Sequence, residues 1–195
     1  PMVAKVAFLF VLVGYGTKVG LVPMHTWLPD AHGKAPSPIS ALLSGVLLNV
    51  ALISILRFKG LVDLSLGTAF TSTLLMYFGL ASLVLAALII FTQRSYKRLL
   101  AYSSIEHMGI VALGIGFGGV GTVAAFFHIL YHALSKVFLF LAAGNILLRF
   151  SSTKFAYVSG VIRALPVTGV LFFGGFLAIS GLPPFGMFFS KFLIL

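Results

Sequence analysis

Residues 122–148 read TVAAFFHILYHALSKVFLFLAAGNILL. The run is long enough to cross a bilayer, which takes about twenty apolar residues, yet it places His128, His132 and Lys136 at four-residue intervals. Residues four apart stack on one face of a helix, so two imidazoles and an ammonium form a stripe, flanked by Tyr131 and Ser135. At 1.5 Å per residue Lys136 lies about 20 Å from one end of the run and about 18 Å from the other. Snorkelling does not bridge that distance. A charge at the bilayer centre costs about 2.5–3.5 kcal/mol, so the stripe must face the interior of a bundle, against water or partner groups.

Composition agrees with a membrane protein. Of the 195 residues, 60% are hydrophobic and 8% charged, with a mean hydropathy of +1.15, whereas about a quarter of a soluble domain is charged. There is no cysteine, which excludes thiol chemistry, disulfides, thiolate-held iron–sulfur clusters and cysteine zinc sites. Any redox centre therefore belongs to a partner, and no cofactor or metal is expected in the chain itself. The formal charge of +10 is spread singly or in short clusters between apolar runs, a pattern that does not suit nucleic acid. The sequence opens on Pro1 and stops inside FFSKFLIL, as expected for a piece of a longer membrane protein.

Apolar runs of spanning length fall at roughly 2–22, 37–57, 68–92, 99–117, 122–148 and 164–195. Short loops join them, which predicts one all-α, polytopic transmembrane bundle forming a single domain over residues 1–195. Two runs carry breaks. The first meets Gly14, Gly16, Gly20 and Pro23, and the last meets GLPPFG at 181–186. Proline removes a backbone donor, and freed backbone groups at membrane depth must be buried in protein or face water. Two discontinuous helices around a hydrated interior are expected. Alternating the spans puts Lys34, Arg94, Lys97, Arg98, Arg149, Lys154 and Arg163 on one side and Lys5, Arg57 and Lys59 on the other, so the first side is expected to be cytoplasmic.

Most basic residues sit at predicted helix ends, Lys97 included, where long side chains reach headgroups and water. Glu106 and His107, near Tyr102, Ser103 and Arg98, read as a polar cluster at the interface. For Lys136 the plainer alternative is a lysine bound to backbone carbonyls. The stripe favours a proton relay: imidazole accepts a proton on one nitrogen and releases one from the other, and its ordinary pKa near 6.5 lets both forms exist. Metal binding by the His128/His132 pair is disfavoured by the adjacent ammonium and the lack of a nearby carboxylate. Lys18 and Lys191 sit beside the two breaks, where an ammonium either hydrogen-bonds the freed backbone carbonyls or, with water admitted, is loaded and emptied. GFGGVG at 116–121 lacks the strand and the Lys-Ser/Thr of a nucleotide loop and reads as an interhelical turn.

GTKVGLVPMHTWLPDAHGKAPSPISALLSGVLLN, YKRLLAYSSIEHMG, FFHILYHALSKVFLFLAAG and GLPPFGMFFSKFLIL together resemble the antiporter-like membrane subunits of respiratory complex I, Mrp-type sodium/proton antiporters and energy-converting hydrogenases. SSIEHMG with SALLSGVLLN is most similar to the hydrogenase-4 and formate hydrogenlyase branch. The resemblance covers nearly the whole chain and implies roughly helices seven to twelve of a fourteen-helix subunit in a prokaryotic inner membrane, beside other membrane subunits of a redox complex. It maps the family's proton-transfer positions onto Lys18, His128, His132, Lys136 and Lys191. Where many relatives carry a histidine or lysine in the eighth helix, this sequence has Ser44 and Asn49, so the connection between Lys18 and the central stripe needs water or a hydroxyl. The fifth-helix glutamate that partners the seventh-helix lysine lies outside these residues.

Three functions follow as expectations: a proton-translocating, non-redox subunit of a redox-driven complex, a secondary sodium/proton antiporter subunit, or a structural membrane anchor. No substrate bond is expected to break in this chain.

Overall fold

The structure is a computed structural model that describes residues 2–195. The chain is an all-α bundle: α1 (Met2–Val19), α2 (Trp27–Lys34), α3 (Ser37–Leu66), α4 (Ala69–Ile90), α5 (Tyr96–Phe117), α6 (Gly119–Phe150), α7 (Pro166–Ser180) and α8 (Gly186–Ile194). Five of these, α1 and α3 to α6, are long and apolar enough to cross a membrane, and the chain is an integral, multi-pass membrane protein. The run predicted at 37–57 continues as helix to Leu66, where Gly67, at φ 75°, turns the chain. A π turn over Leu43–Leu47 lies inside α3, and the Asn49 side-chain amide donates to Gly45 O at 2.7 Å. GFGGVG forms the expected tight turn, with Gly118 and Gly119 at positive φ.

The central helix is α5, whose apolar window is 83% buried. Small residues let α4 approach it: a Cβ on Gly109 would lie 2.8 Å from Gly79 O, and a Cβ on Gly79 would lie 2.8 Å from Gly109 O. Without a hydrophobic driving force between helices in lipid, backbone approach of this kind supplies van der Waals contact.

Both breaks are present. After α1 the chain leaves helical geometry at Gly20, φ 82°, and the freed groups find partners: Trp27 Nε1 donates to Thr17 O at 2.6 Å and Val22 N donates to Ser82 Oγ at 2.9 Å. Gly20, Leu21 and Val22 are buried. Between α7 and α8, Gly181 takes φ 81° and two prolines without N–H groups follow. This second break corrects the expectation of an interior position, since Leu182, Pro183, Pro184 and Phe185 are exposed. Its polar consequence is interior all the same, because α8 restarts at Gly186, packed flat on the Tyr131 ring with no room for a Cβ. That contact docks α8 against α6.

The basic residues separate by end. Tyr96 N donates to Thr153 O and Phe155 N to Arg94 O, both at 3.1 Å, and Arg98 lies 3.5 Å from Asp30. Lys59, paired with Asp63 at 2.5 Å, lines a cavity at the opposite end with Gly60, Gly118 and Gly119. Lys97 corrects the helix-end reading. It is 1% exposed, with Nζ donating to Ala35 O at 2.6 Å, because the C-terminus of α2 offers a carbonyl nearer than water. The orientation inferred from charge predicts that a cysteine at Gly33 reacts with an impermeant thiol reagent from the cytoplasmic side of intact vesicles and one at Val120 from the other. The reverse pattern would overturn the assignment.

Candidate functional site

α6 carries the stripe inward: His128, His132 and Lys136 are all fully buried. The partners come from α5 and α8. His128 Nδ1 lies 2.9 Å from Ser190 Oγ and His128 Nε2 lies 2.9 Å from His107 Nδ1. In the rotamer in which Ser190 Oγ donates to Met187 O, at 3.0 Å, its only proton is committed. The hydroxyl then accepts from His128 Nδ1–H, His128 Nε2 becomes an acceptor, and His107 Nδ1–H donates to it. One serine thus sets the tautomers of two imidazoles.

His132 lies beside them, its ring centroid 5.4 Å from that of His107, and both its nitrogens are buried without a protein partner. The same is true of His32 on α2, whose ring stacks on Phe140 at 4.8 Å. Buried imidazoles in this condition retain a donor and an acceptor for water or a proton.

Lys136 Nζ donates to Leu100 O and to Ser103 Oγ, each at 2.5 Å. Two charge-assisted bonds, at about 1.5–3 kcal/mol each, offset the insertion cost of about 3 kcal/mol. Carbonyl binding is therefore present, and a hydroxyl accompanies it. Leu100 O also accepts from Ser104 Oγ at 3.2 Å, and Ser104 Oγ lies 2.9 Å from Ser44 Oγ. Ser44 thus joins the hydroxyls beside Lys136, while Lys18, which it was expected to link to the stripe, lies apart from them. Asn49 does not reach it, since its amide is bound within α3.

The remaining two expected positions differ from each other. Lys191, on α8, lies 3.8 Å from Glu106 Oε1 and donates to Ser180 O at 3.4 Å. Lys18 stands apart from the stripe: it is exposed, beside a groove formed by Phe10, Val11, Gly14 and Tyr15, with Nζ 6.0 Å from the Tyr15 ring centre.

His107 and Glu106 correct the interface reading. His107 is 1% exposed and belongs to the central network, while Glu106 faces Lys191. Counting Glu106 and His107 from the start of the span concealed this, because the N-terminal half of α5, from Leu100 to His107, is packed inside the bundle and not at its surface. The signal available in sequence was the spacing of Ser103 and Glu106, three apart, with His107 four from Ser103. Among the described residues no group of three or more His, Asp or Glu is placed to hold a metal ion.

Comparison with known proteins shows what the chain as a whole is similar to. The model of the family described as NADH:quinone oxidoreductase/Mrp antiporter, TM, matches residues 2–195. A hydrogenase-4 component F homolog of Methylacidiphilum infernorum is 50% identical over 192 residues, covering 98% of this chain and 40% of the relative. A chain of the archaeal membrane-bound sulfane sulfur reductase, a respiratory membrane complex, superposes with a TM-score of 0.93 at 31% identity, covering 100% of this chain and 40% of that one. A chain of the Mrp complex from Dietzia sp. DQ12-45-1b gives 0.90 at 28% identity, with 97% and 35% covered. The sequence thus spans between about a third and two fifths of the length of these relatives.

Proposed function

This chain belongs to the NADH:quinone oxidoreductase/Mrp antiporter transmembrane family, and from that premise we propose that it conducts protons along the membrane's middle plane within a redox-driven complex. The observation that carries the reading is the buried chain Ser190–His128–His107 beside His132 and Lys136, held by three different helices at membrane depth. Proton transfer along it needs only bond exchange. An imidazole takes a proton at the accepting nitrogen and gives one up at the other, and the Lys136 ammonium releases a proton toward Ser103.

The proposed entry and exit groups are Lys18 and Lys191. Redox energy released in partner subunits reaches this chain as an electrostatic change, since moving a charge beside one site alters the proton affinity of the next. The name of the 50%-identical relative supports a hydrogenase-type complex over the other branches. Other membrane subunits are the partners in this reading, as in the complexes of the solved relatives.

Sodium/proton antiport is the second reading, and the acidic side chains weigh against it. A sodium site needs oxygen ligands, but Asp30, Asp63 and Glu106 each lie within 4.0 Å of a basic group. In the intact complex reconstituted in vesicles, turnover is expected to translocate protons with no sodium present, and no sodium is expected to follow when it is added. Strict sodium dependence would transfer the conclusion to antiport. The third reading, a structural anchor, leaves a buried lysine and imidazole network without a use.

A further inference from the structure

The chain has three acidic residues, Asp30, Asp63 and Glu106. Asp30 pairs with Arg98 at the basic end, and Asp63 is held by Lys59 and Thr71 at the other. Glu106 alone is inside the bundle's functional region. Its Oε1 lies 3.8 Å from Lys191 Nζ, and the same ammonium lies 3.4 Å from Ser180 O. Neither distance is that of a tight bond. The ammonium is suspended between two acceptors, and both are within a small movement.

The surroundings permit that movement. Glu106, Lys191, Ser103, His107 and Ser180 line a cavity of about 160 Å³, and Lys191 and Glu106 are only 20% and 23% exposed. The lysine stem runs past Gly181, where a Cβ would lie 3.0 Å from Lys191 Cδ, so the glycine leaves the stem its path. Ser180 ends α7, and the C-terminus of a helix presents about half a negative charge. That charge is fixed, whereas the Glu106 charge disappears on protonation.

We propose that Glu106 and Lys191 form a switchable ion pair in which a proton arriving at Glu106 releases the Lys191 ammonium onto the Ser180 carbonyl. This rests on the proton-conduction reading above. The steps balance. Lys136 ammonium gives a proton through Ser103 and cavity water to the Glu106 carboxylate, leaving a neutral amine and a neutral acid. The freed Lys191 ammonium passes its own proton onward. The Glu106 acid then returns its proton to the Lys191 amine, restoring carboxylate and ammonium, and one proton has moved from Lys136 to beyond Lys191. The charged and titratable groups around Glu106 are Lys191 from α8, 3.8 Å away, His107 from its own helix, which lines the same cavity, and Lys136 from α6, which reaches that cavity through Ser103.

Two measurements on the intact complex test this. The first is labelling by a hydrophobic carbodiimide, which adds to a protonated carboxyl and is read as an acylurea mass on the Glu106 peptide. An unpaired carboxylate at this depth takes up a proton, so Lys191→Met is expected to raise labelling about tenfold, the size of a modest coupling between two sites. Equal labelling with and without Lys191 overturns the pair. The second is proton translocation per electron in vesicles. Glu106→Gln is expected to lower it about tenfold, with Glu106→Asp recovering part of the loss. If Glu106→Gln translocates normally while Lys136→Met does not, the switch is wrong and the conduction reading stands. If both translocate normally, the conduction reading fails with it.

Discussion

Replacing Lys136 by Met in the intact complex is expected to leave assembly unchanged and to stop proton translocation through this chain. Methionine has similar length and removes a charge whose placement costs about 3 kcal/mol at membrane depth. The acceptors it abandons are not orphaned, because Leu100 O still accepts from Ser103 Oγ at 3.0 Å and Ser104 Oγ at 3.2 Å. Stability should therefore change by no more than about 1 kcal/mol. Transport should not recover with Lys136→Arg, since guanidinium keeps its proton throughout the accessible pH range. Proton uptake per electron in vesicles, with assembly checked on native gels, decides the matter. An assembled Lys136→Met complex pumping at the unmutated ratio would leave Lys136 as a lysine bound to a carbonyl and nothing more.

The largest effect on folding is expected at Gly109. Its Cβ position is 2.8 Å from Gly79 O and 2.9 Å from Leu83 N, and backbone cannot yield as a side-chain tip does. Gly109→Leu must push α4 from α5, at a cost of about 3 kcal/mol or more, and the central helix also carries Leu100, Ser103 and His107 of the buried network. Loss of assembled complex is the expected result. Gly60→Ala serves as the control, since no atom lies within 4 Å of its Cβ position. Normal assembly of Gly109→Leu would show that the α4–α5 approach is not what holds α5 in place.

The spans and breaks were legible because bilayer thickness fixes helix length and because Pro23, Pro183 and Pro184 interrupt a periodic apolar run. The stripe on α6 was legible for a related reason: a charge cannot be placed at Lys136 without a partner. What sequence concealed was the identity of the partners. α4 is apolar on every side, so periodicity marks no inward face, and only the small residues Gly79, Ser82 and Ala86 hinted at one. His107 was misplaced because distance from a helix end says little about depth when the helix is surrounded. Lys97 was misplaced because snorkelling competes with any nearby carbonyl, and Ala35 O won. Lys18 is exposed among the described residues, so its place in the proposed relay rests on the resemblance and not on contacts.

The bond from Lys97 to Ala35 O bears on how such a chain is made. Orientation is decided while the segments emerge one at a time, before the bundle closes. At that moment Lys97 stands beside Arg94 and Arg98 as a free cation on a nascent loop. In the finished protein the same ammonium is withdrawn inside and capped by the end of α2. The folded surface therefore carries less positive charge at this end than the loop's sequence displays, because one of its cations is held in the core.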